Sequence, residues 1–141
     1  MPKTSRSIVI NASPQACYDV IWDCESHPEF LSELQRAKIL DHRDDFVRAE
    51  FTVRIVKEIK YTIDLHGTPG ASMSWKLVKG FFKKNDGLWT LRDLGDGRTE
   101  CTYDIDIEFG LMVPGSVVKM LQEQQLPKLL EAFKKRIESL N

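Results

Sequence analysis

The chain has 141 residues, of which 42% are hydrophobic and 29% are charged, and its formal net charge at pH 7 is −1. These values predict one globular domain over residues 1–141, with enough apolar residues for a core that needs no disulfides. The near-neutral charge gives no reason to expect nucleic acid or an anionic membrane as a partner. No apolar run approaches the roughly 18 residues of a membrane span, and the N-terminus lacks a signal-peptide apolar region, so we expect a cytoplasmic location.

The N-terminal part predicts a strand followed by two short helices. The strand is expected over residues 7–11, where apolar and polar side chains alternate. Ser13 and Pro14 then combine a hydroxyl N-cap with a proline at the first helical position. A second helix start is indicated by residues 26–29, which have the Ser-x-x-Glu form of a capping box. The expected apolar face of this second helix consists of Phe30, Leu31 and Leu34.

The middle of the chain, from about Lys38 to Phe109, alternates between apolar and polar residues. This period of two is typical of antiparallel strands that have one dry face and one wet face. The clearest run places the odd-numbered residues of 101–109 on the dry face. Turn signals at residues 67–70, 85–87 and 95–97 separate the runs. The pattern predicts a meander of six or seven strands, counting the first one.

The last quarter of the chain predicts a helix in two parts. In the second part, the apolar residues fall within one sector roughly 100° wide. Before it, the apolar side chains point to nearly the opposite side, and Pro127 interrupts the hydrogen bonding between the two parts. We therefore expect the second part to pack on the sheet and the first part to turn away. The residues of the packing stripe are Leu126, Leu129, Leu130, Phe133, Ile137 and Leu140.

The order of elements and several local motifs resemble the helix-grip fold of the START-like superfamily, also called SRPBCC, an α+β fold of the birch-pollen-allergen type. The likeness is carried by residues 12–18 with Trp22 and Asp23, by residues 26–31, and by residues 126–136. Within the superfamily, the chain most resembles the polyketide cyclase/dehydrase and coenzyme Q-binding branch. The resemblance implies a six- to seven-stranded antiparallel sheet curved around a long C-terminal helix, with a space between them.

A cavity in that space is the expected site. Dry-face side chains would form its walls, and several of them combine a large apolar body with one polar group, which suits a small hydrophobic ligand. The expected wall residues are Phe51, Val53, Tyr61, Ile63, Met73, Trp75, Trp89, Leu91, Tyr103, Ile105 and Ile107. The expected mouth residues are Leu111, Met112, Val117, Met120 and Leu121.

Side chains with metal, redox or acid–base chemistry indicate no further site. The cysteines are odd in number and lack CxxC spacing, so we expect reduced, mostly buried thiols. The three histidines have no neighbours at ligand spacing and are expected to be exposed, so we expect neither a metal nor another cofactor. The acidic residues Asp104, Asp106 and Glu108 fall on the wet face, where basic residues of adjacent strands would pair with them. The cysteines are Cys17, Cys24 and Cys101, and the histidines are His27, His42 and His66.

Three functions fit these features. The first is binding or transport of a lipid, an isoprenoid quinone or a polyketide-like molecule in the cavity. The second is a polyketide cyclase or dehydrase acting in the same cavity, for which the ionisable dry-face candidates are Tyr61, Tyr103 and Cys101. The third is a module that binds a protein or the ribosome, which would need an exposed apolar or basic surface. The lack of an inward carboxylate, histidine or arginine on the predicted strands places binding ahead of catalysis.

Overall fold

The computed structural model describes residues 3–54, 57–110 and 113–141, with residues 121 and 122 described by their backbone alone. Within these ranges, seven strands form a sheet in the order β1-β7-β6-β5-β4-β3-β2, and every neighbouring pair is antiparallel. The predicted α+β helix-grip architecture is therefore confirmed. The strands are β1 (Lys3–Ile10), β2 (Leu34–Arg43), β3 (Phe46–Arg54), β4 (Glu58–Thr68), β5 (Ser72–Gly80), β6 (Lys84–Asp93) and β7 (Thr99–Glu108).

Helix α1 (Pro14–Trp22) begins where the sequence predicts it. The Ser13 hydroxyl accepts a hydrogen bond from the backbone N–H of Ala16 at 3.1 Å, and Pro14 stands in the first helical turn. The second predicted helix is wrong in form, because residues Cys24–Glu29 make a short 3₁₀ helix and the chain is already extended at Leu34. The Ser26 hydroxyl donates to the Asp23 carboxylate at 2.7 Å instead of capping a helix.

The predicted turn at residues 85–87 is also wrong, because these residues lie inside β6. Three side-chain features hold them there. The Trp75 indole N–H donates to the Asn85 amide oxygen at 3.1 Å, and the Asp86 carboxylate accepts from the Leu77 backbone N–H at 3.2 Å. Gly87 leaves room for the Trp75 ring, which would lie 2.0 Å from a Cβ at that position. Residues 85–87, whose sequence is typical of a turn, are therefore held in a strand by their contacts with the Trp75 indole and with β5.

The C-terminal segment is divided as expected, into α2 (Gly115–Met120), a π-helical turn (Leu121–Gln125) and α3 (Leu126–Ser139). The stripe on α3 is buried at Leu126, Leu130, Phe133 and Ile137, whereas Leu140 is 61% exposed because the helix has ended there. Including Leu140 in the packing stripe was therefore wrong. None of the helices in the described part has the length and hydropathy that a bilayer span requires.

Polar contacts fix the C-terminal half of α3 to the N-terminal part of the chain. The Lys134 ammonium donates to the Val9 carbonyl at 2.7 Å, at the end of β1. The Glu138 carboxylate accepts from the Asn11 backbone N–H at 2.9 Å and from Lys134. Arg136 pairs with Glu29 at the end of the 3₁₀ helix. These contacts hold α3 over one end of the sheet.

The two outer strands of the sheet are irregular or polar. Among the described strands, β2 pairs with β3 alone, and its register shifts between Leu34 and Arg36 and again between Ile39 and Asp41. In the described part of the chain, strand β1 pairs with β7 alone and exposes half of its side chains. The core lies between the inner strands, α1 and α3.

Candidate ligand-binding site

A cavity of about 240 Å³ lies between the sheet, the 3₁₀ helix and α3. Most of its wall is apolar, and the described wall residues include seven benzenoid or indole rings. The described residues that line it are Cys24, His27, Leu31, Glu33, Leu34, Phe51, Val53, Tyr61, Ile63, Leu65, Met73, Trp75, Phe82, Asn85, Trp89, Tyr103, Ile105, Ile107, Gln125, Leu129 and Phe133.

The structure places ten of the eleven predicted wall residues on this cavity. The eleventh, Leu91, is 8% exposed and packs into the core away from the cavity. Of the predicted mouth residues, Val117 and Met120 are half-buried on α2 but do not line the cavity. Leu111, Met112 and the side chain of Leu121 lie outside the described residues. On the helical side, the described lining comes instead from Gln125, Leu129 and Phe133.

Sequence reasoning missed the lining residues of the 3₁₀ helix. In a helix with three residues per turn, side chains at i and i+3 lie on the same side. Cys24 and His27 have this spacing, and both side chains are buried and reach the cavity. The expectation that His27 is exposed was therefore wrong, whereas His42 and His66 are exposed.

The polar groups that the strands contribute to the wall fall into two sets. The Trp75 N–H and the Asn85 amide oxygen are bonded to each other. The hydroxyls of Tyr61 and Tyr103 make no hydrogen bond with any other described residue, and burial raises the pKa of both phenols above their ordinary value. Both tyrosines therefore stay protonated at neutral pH. They can donate hydrogen bonds to a bound molecule but are poor general bases.

His27 is the one imidazole among the described wall residues. Its ring packs edge-on against Phe30 and Phe133, with centroid distances of 5.7 and 5.0 Å. Nitrogen Nε2 lies 3.0 Å from the Val20 carbonyl oxygen. Burial lowers the pKa of His27 below its ordinary value of 6.5, although the Val20 carbonyl partly opposes this effect. The ring is therefore neutral at pH 7.

This lowered pKa predicts a specific loss of stability in mild acid. Between the lowered folded-state pKa and the unfolded value near 6.5, the unfolded chain binds more protons at this site than the folded chain. The contribution of His27 to the free energy of unfolding is then complete above pH 6.5. It falls as the pH drops, by at most about 1.4 kcal/mol per pH unit. In urea titrations, we expect the stability difference between wild-type and His27→Gln to shrink from pH 7 to pH 5.

The control for this measurement is His42→Gln, which removes an exposed histidine. Its stability difference from wild-type should stay constant over the same pH range. A pH-independent difference for His27→Gln as well would contradict the assignment of a buried neutral imidazole.

The cysteines divide into one cavity residue and one buried pair. All three are free and buried, as the sequence predicts. The pKa of the Cys24 thiol is raised to about 12, chiefly by burial, so this thiol is not a nucleophile at neutral pH. Cys101 does not line the cavity; it lies beside the Cys17 thiol, and this neighbour together with burial raises the pKa of Cys101. Cys101 is therefore not an acid or base of the cavity.

The third ionisable wall residue that sequence reasoning missed, after Cys24 and His27, is Glu33, just before β2. Its carboxylate accepts a hydrogen bond from the Ser32 hydroxyl at 2.8 Å. Of the three acidic residues expected on the wet face, Asp106 pairs with a basic neighbour, Lys84, at 2.7 Å. Among the described residues, no group of three or more His, Cys, Asp or Glu side chains is placed to hold a metal ion.

A curved antiparallel sheet, closed by a C-terminal helix over an apolar cavity, defines a START-like protein with the helix-grip fold. A family model described as polyketide cyclase/dehydrase and lipid transport matches residues 10–134. The chain belongs to this family.

Similar proteins carry different names. The ribosome association toxin RatA from Pseudomonas aeruginosa is 26% identical over 136 residues, which cover 96% of this chain and 94% of that protein. A START superfamily protein from Mycobacterium smegmatis has a TM-score of 0.87 at 24% identity, with 99% of both chains covered. The aromatase/cyclase Zhui from Streptomyces sp. R1128 has a TM-score of 0.72 at 14% identity, covering 98% of this chain and 87% of that one. The two structural likenesses concern the fold.

Proposed function

We propose that the chain binds a small, mostly apolar molecule in the cavity between the sheet and α3. The single observation that carries this proposal is the cavity itself, an unfilled space of about 240 Å³ with mainly aromatic and aliphatic walls. A concave, mostly apolar and partly open space of this kind is typical of sites that bind small molecules. Membership of a family that includes lipid transport supports the same function.

The volume limits the size of the ligand. Sites for drug-sized ligands occupy about 300–1,000 Å³, whereas an engineered cavity of about 150 Å³ holds benzene. The cavity of about 240 Å³ lies between these cases. It suits a molecule of one or two rings, or the ring end of a longer quinone or polyketide-like molecule. A whole fatty acyl chain exceeds it.

The test uses a variant that fills the cavity. Val53 lines the cavity from β3 and is only partly buried, so Val53→Phe should occupy the space while leaving the chain folded. We expect one- and two-ring compounds to raise the melting temperature of wild-type and to quench the fluorescence of Trp75 and Trp89. A ligand at about 100 times its Kd adds about 2.7 kcal/mol, which is several degrees for a domain of this size.

The matched control is Val78→Phe, on an outward position of β5 that is 42% exposed. It should bind the same compounds as wild-type does, and Val53→Phe should not. If a panel of ring compounds produces no shift in wild-type, or if both variants bind equally well, the cavity is not a ligand site.

Catalysis in the cavity has less support than ligand binding. The cyclase or dehydrase alternative needs a general acid or base in the cavity, and the tyrosines are poor bases. His27 and Glu33 supply the imidazole and the carboxylate that the predicted strands lacked. However, the described wall shows no hydrogen bond between these two side chains that would pair them as a base and its orienting partner.

A ribosome-binding function is the second candidate, because a relative that matches nearly the full length is named a ribosome association toxin. The structure offers a shallow groove on the outer side of α3, between Phe30 and the side chains of Lys128 and Lys135. Sedimentation of the protein with ribosomes from its own host would test this function. Loss of co-sedimentation in the double variant Lys128→Glu/Lys135→Glu, with cavity binding retained, would assign it to this groove.

A further inference from the structure

The polar chemistry of the cavity favours one class of ligand, on the assumption that the proposed binding function holds. Two features of the wall determine this preference, the orientation of the His27 ring and the charges of the lining side chains. A carbonyl oxygen can accept but not donate a hydrogen bond. Since Nε2 of His27 lies 3.0 Å from the Val20 carbonyl, Nε2 must carry the proton. In the neutral ring, Nδ1 is then an acceptor with a free lone pair.

Nδ1 of His27 has no hydrogen-bond partner among the described residues. Among the described residues, every fully buried side-chain nitrogen or oxygen has a hydrogen-bond partner. Because Nδ1 has no such partner, this atom is not fully buried. The His27 side chain lines the cavity and is only 7% exposed overall. The free lone pair is therefore accessible where the ring borders the cavity, and it can accept a hydrogen bond from a bound molecule.

The charges of the wall select against anions. The described lining contains no lysine or arginine, and its one carboxylate belongs to Glu33. A buried anion without a positive partner loses several kcal/mol of solvation, which neutral donors such as the tyrosine hydroxyls restore only in part. Fatty acids and aromatic carboxylates would place their charge in such surroundings. A neutral molecule carries no such cost.

The aromatic walls and the volume favour a ring. Trp75, Trp89 and Tyr103 form one continuous set of contacts, with centroid distances of 5.4 and 4.8 Å from Tyr103 to the two indoles. Phe133 continues this set from Trp89 to His27, at 5.3 and 5.0 Å. A flat ligand ring in contact with this wall would have its edge within reach of the imidazole.

From this geometry we infer that His27 is a specificity residue, and that the cavity selects neutral one- or two-ring compounds with a hydroxyl that donates to Nδ1. Phenols and naphthols have this chemistry, whereas their methyl ethers lack the donor and aromatic carboxylates carry the disfavoured charge. The hydroxyls of Tyr61 and Tyr103 can contact other polar atoms of the same ligand.

The experiment compares 2-naphthol, 2-methoxynaphthalene and 2-naphthoate by tryptophan fluorescence and melting temperature. In wild-type, we expect 2-naphthol to bind about tenfold more tightly than 2-methoxynaphthalene, the ratio that one net hydrogen bond provides. The carboxylate should bind more weakly than both. In His27→Phe, which keeps an aromatic ring but removes the acceptor, the preference for naphthol over the ether should fall to near one.

The control variant is His42→Phe, which removes an exposed imidazole outside the described cavity wall and should retain the preference. A second measurement does not depend on a variant: the ¹⁵N resonance of Nδ1 in wild-type should shift with 2-naphthol and not with its ether. Equal affinity for naphthol and ether, or a preference that survives in His27→Phe, would overturn the assignment while leaving the binding function in place. Failure of every ring compound to bind would overturn both.

Discussion

Replacement of Phe133 by alanine should remove about 3–5 kcal/mol of folding stability, the range for a buried phenylalanine. The side chain is 3% exposed and contacts three rings from different parts of the chain. Its centroid lies 5.0 Å from His27, 5.1 Å from Phe30 and 5.3 Å from Trp89. The phenyl ring thus joins α3 to the 3₁₀ helix and to β6, and no neighbouring side chain can fill its place. Chemical denaturation measures the loss directly, and the melting temperature should fall by roughly 10 °C or more.

The control for Phe133→Ala is Leu140→Ala, at the end of the same helix. Leu140 is 61% exposed, so its truncation should change stability by less than about 0.5 kcal/mol. Comparable losses in the two variants would mean that α3 does not pack through Phe133. A small loss in Phe133→Ala, accompanied by tighter binding of larger ligands, would mean that the ring borders the cavity without supporting the core.

Replacement of Gly87 by alanine should cost about 2–4 kcal/mol, from overpacking and from loss of a buried hydrogen bond. A Cβ at this position would lie 2.0–2.5 Å from three atoms of the Trp75 indole, so the ring has to move. Movement of the ring would break the hydrogen bond from its N–H to Asn85. Because Trp75 is also a cavity wall, we expect weaker ligand binding together with the loss of stability.

Gly110→Ala provides the comparison, because among the described residues no atom outside the adjacent chain lies within 4 Å of a Cβ built at Gly110. The same chemical change there should be neutral, or should stabilise slightly by restricting the unfolded chain. Urea titrations of both variants, with the near-ultraviolet circular dichroism of the tryptophans as a second signal, measure the difference. An unchanged tryptophan signal in Gly87→Ala would contradict the close packing of the indole on the strand.

The antiparallel sheet could be predicted because its physical signal is local. Alternation of side chains along a strand reports which face is buried, and the odd-numbered residues Phe51, Ile63 and Tyr103 do face the interior. The same alternation also predicts most of the strand residues that line the cavity. It cannot separate a residue that borders empty space from one that touches another element, and for this reason Leu91 was assigned to the wall although it packs into the core.

The errors arise where contacts between distant residues override local preferences. Asn85 and Gly87 favour a turn in isolation, but a tryptophan ten residues before Asn85 requires both of them in a strand. His27 follows a helix-start pattern that is usually exposed, and its burial depends on Phe133, more than a hundred residues away. Sequence patterns of short range contain no information about such pairs. The Nδ1 acceptor of His27, on which we propose that ligand selection depends, could therefore not be predicted from the sequence.

The irregular outer strands have a consequence for the protein at high concentration. An open sheet presents unpaired backbone groups at its edges, and a long, flat edge is a template for pairing with another chain. The two register shifts in β2 interrupt its regular pairing pattern, and the charged residues Lys38, Asp41 and Arg43 oppose close approach of a second strand. At the other edge, Lys134 occupies the Val9 carbonyl near the end of β1. These features make both strands unsuitable as central strands of a sheet. They also protect the molecule against edge-to-edge aggregation.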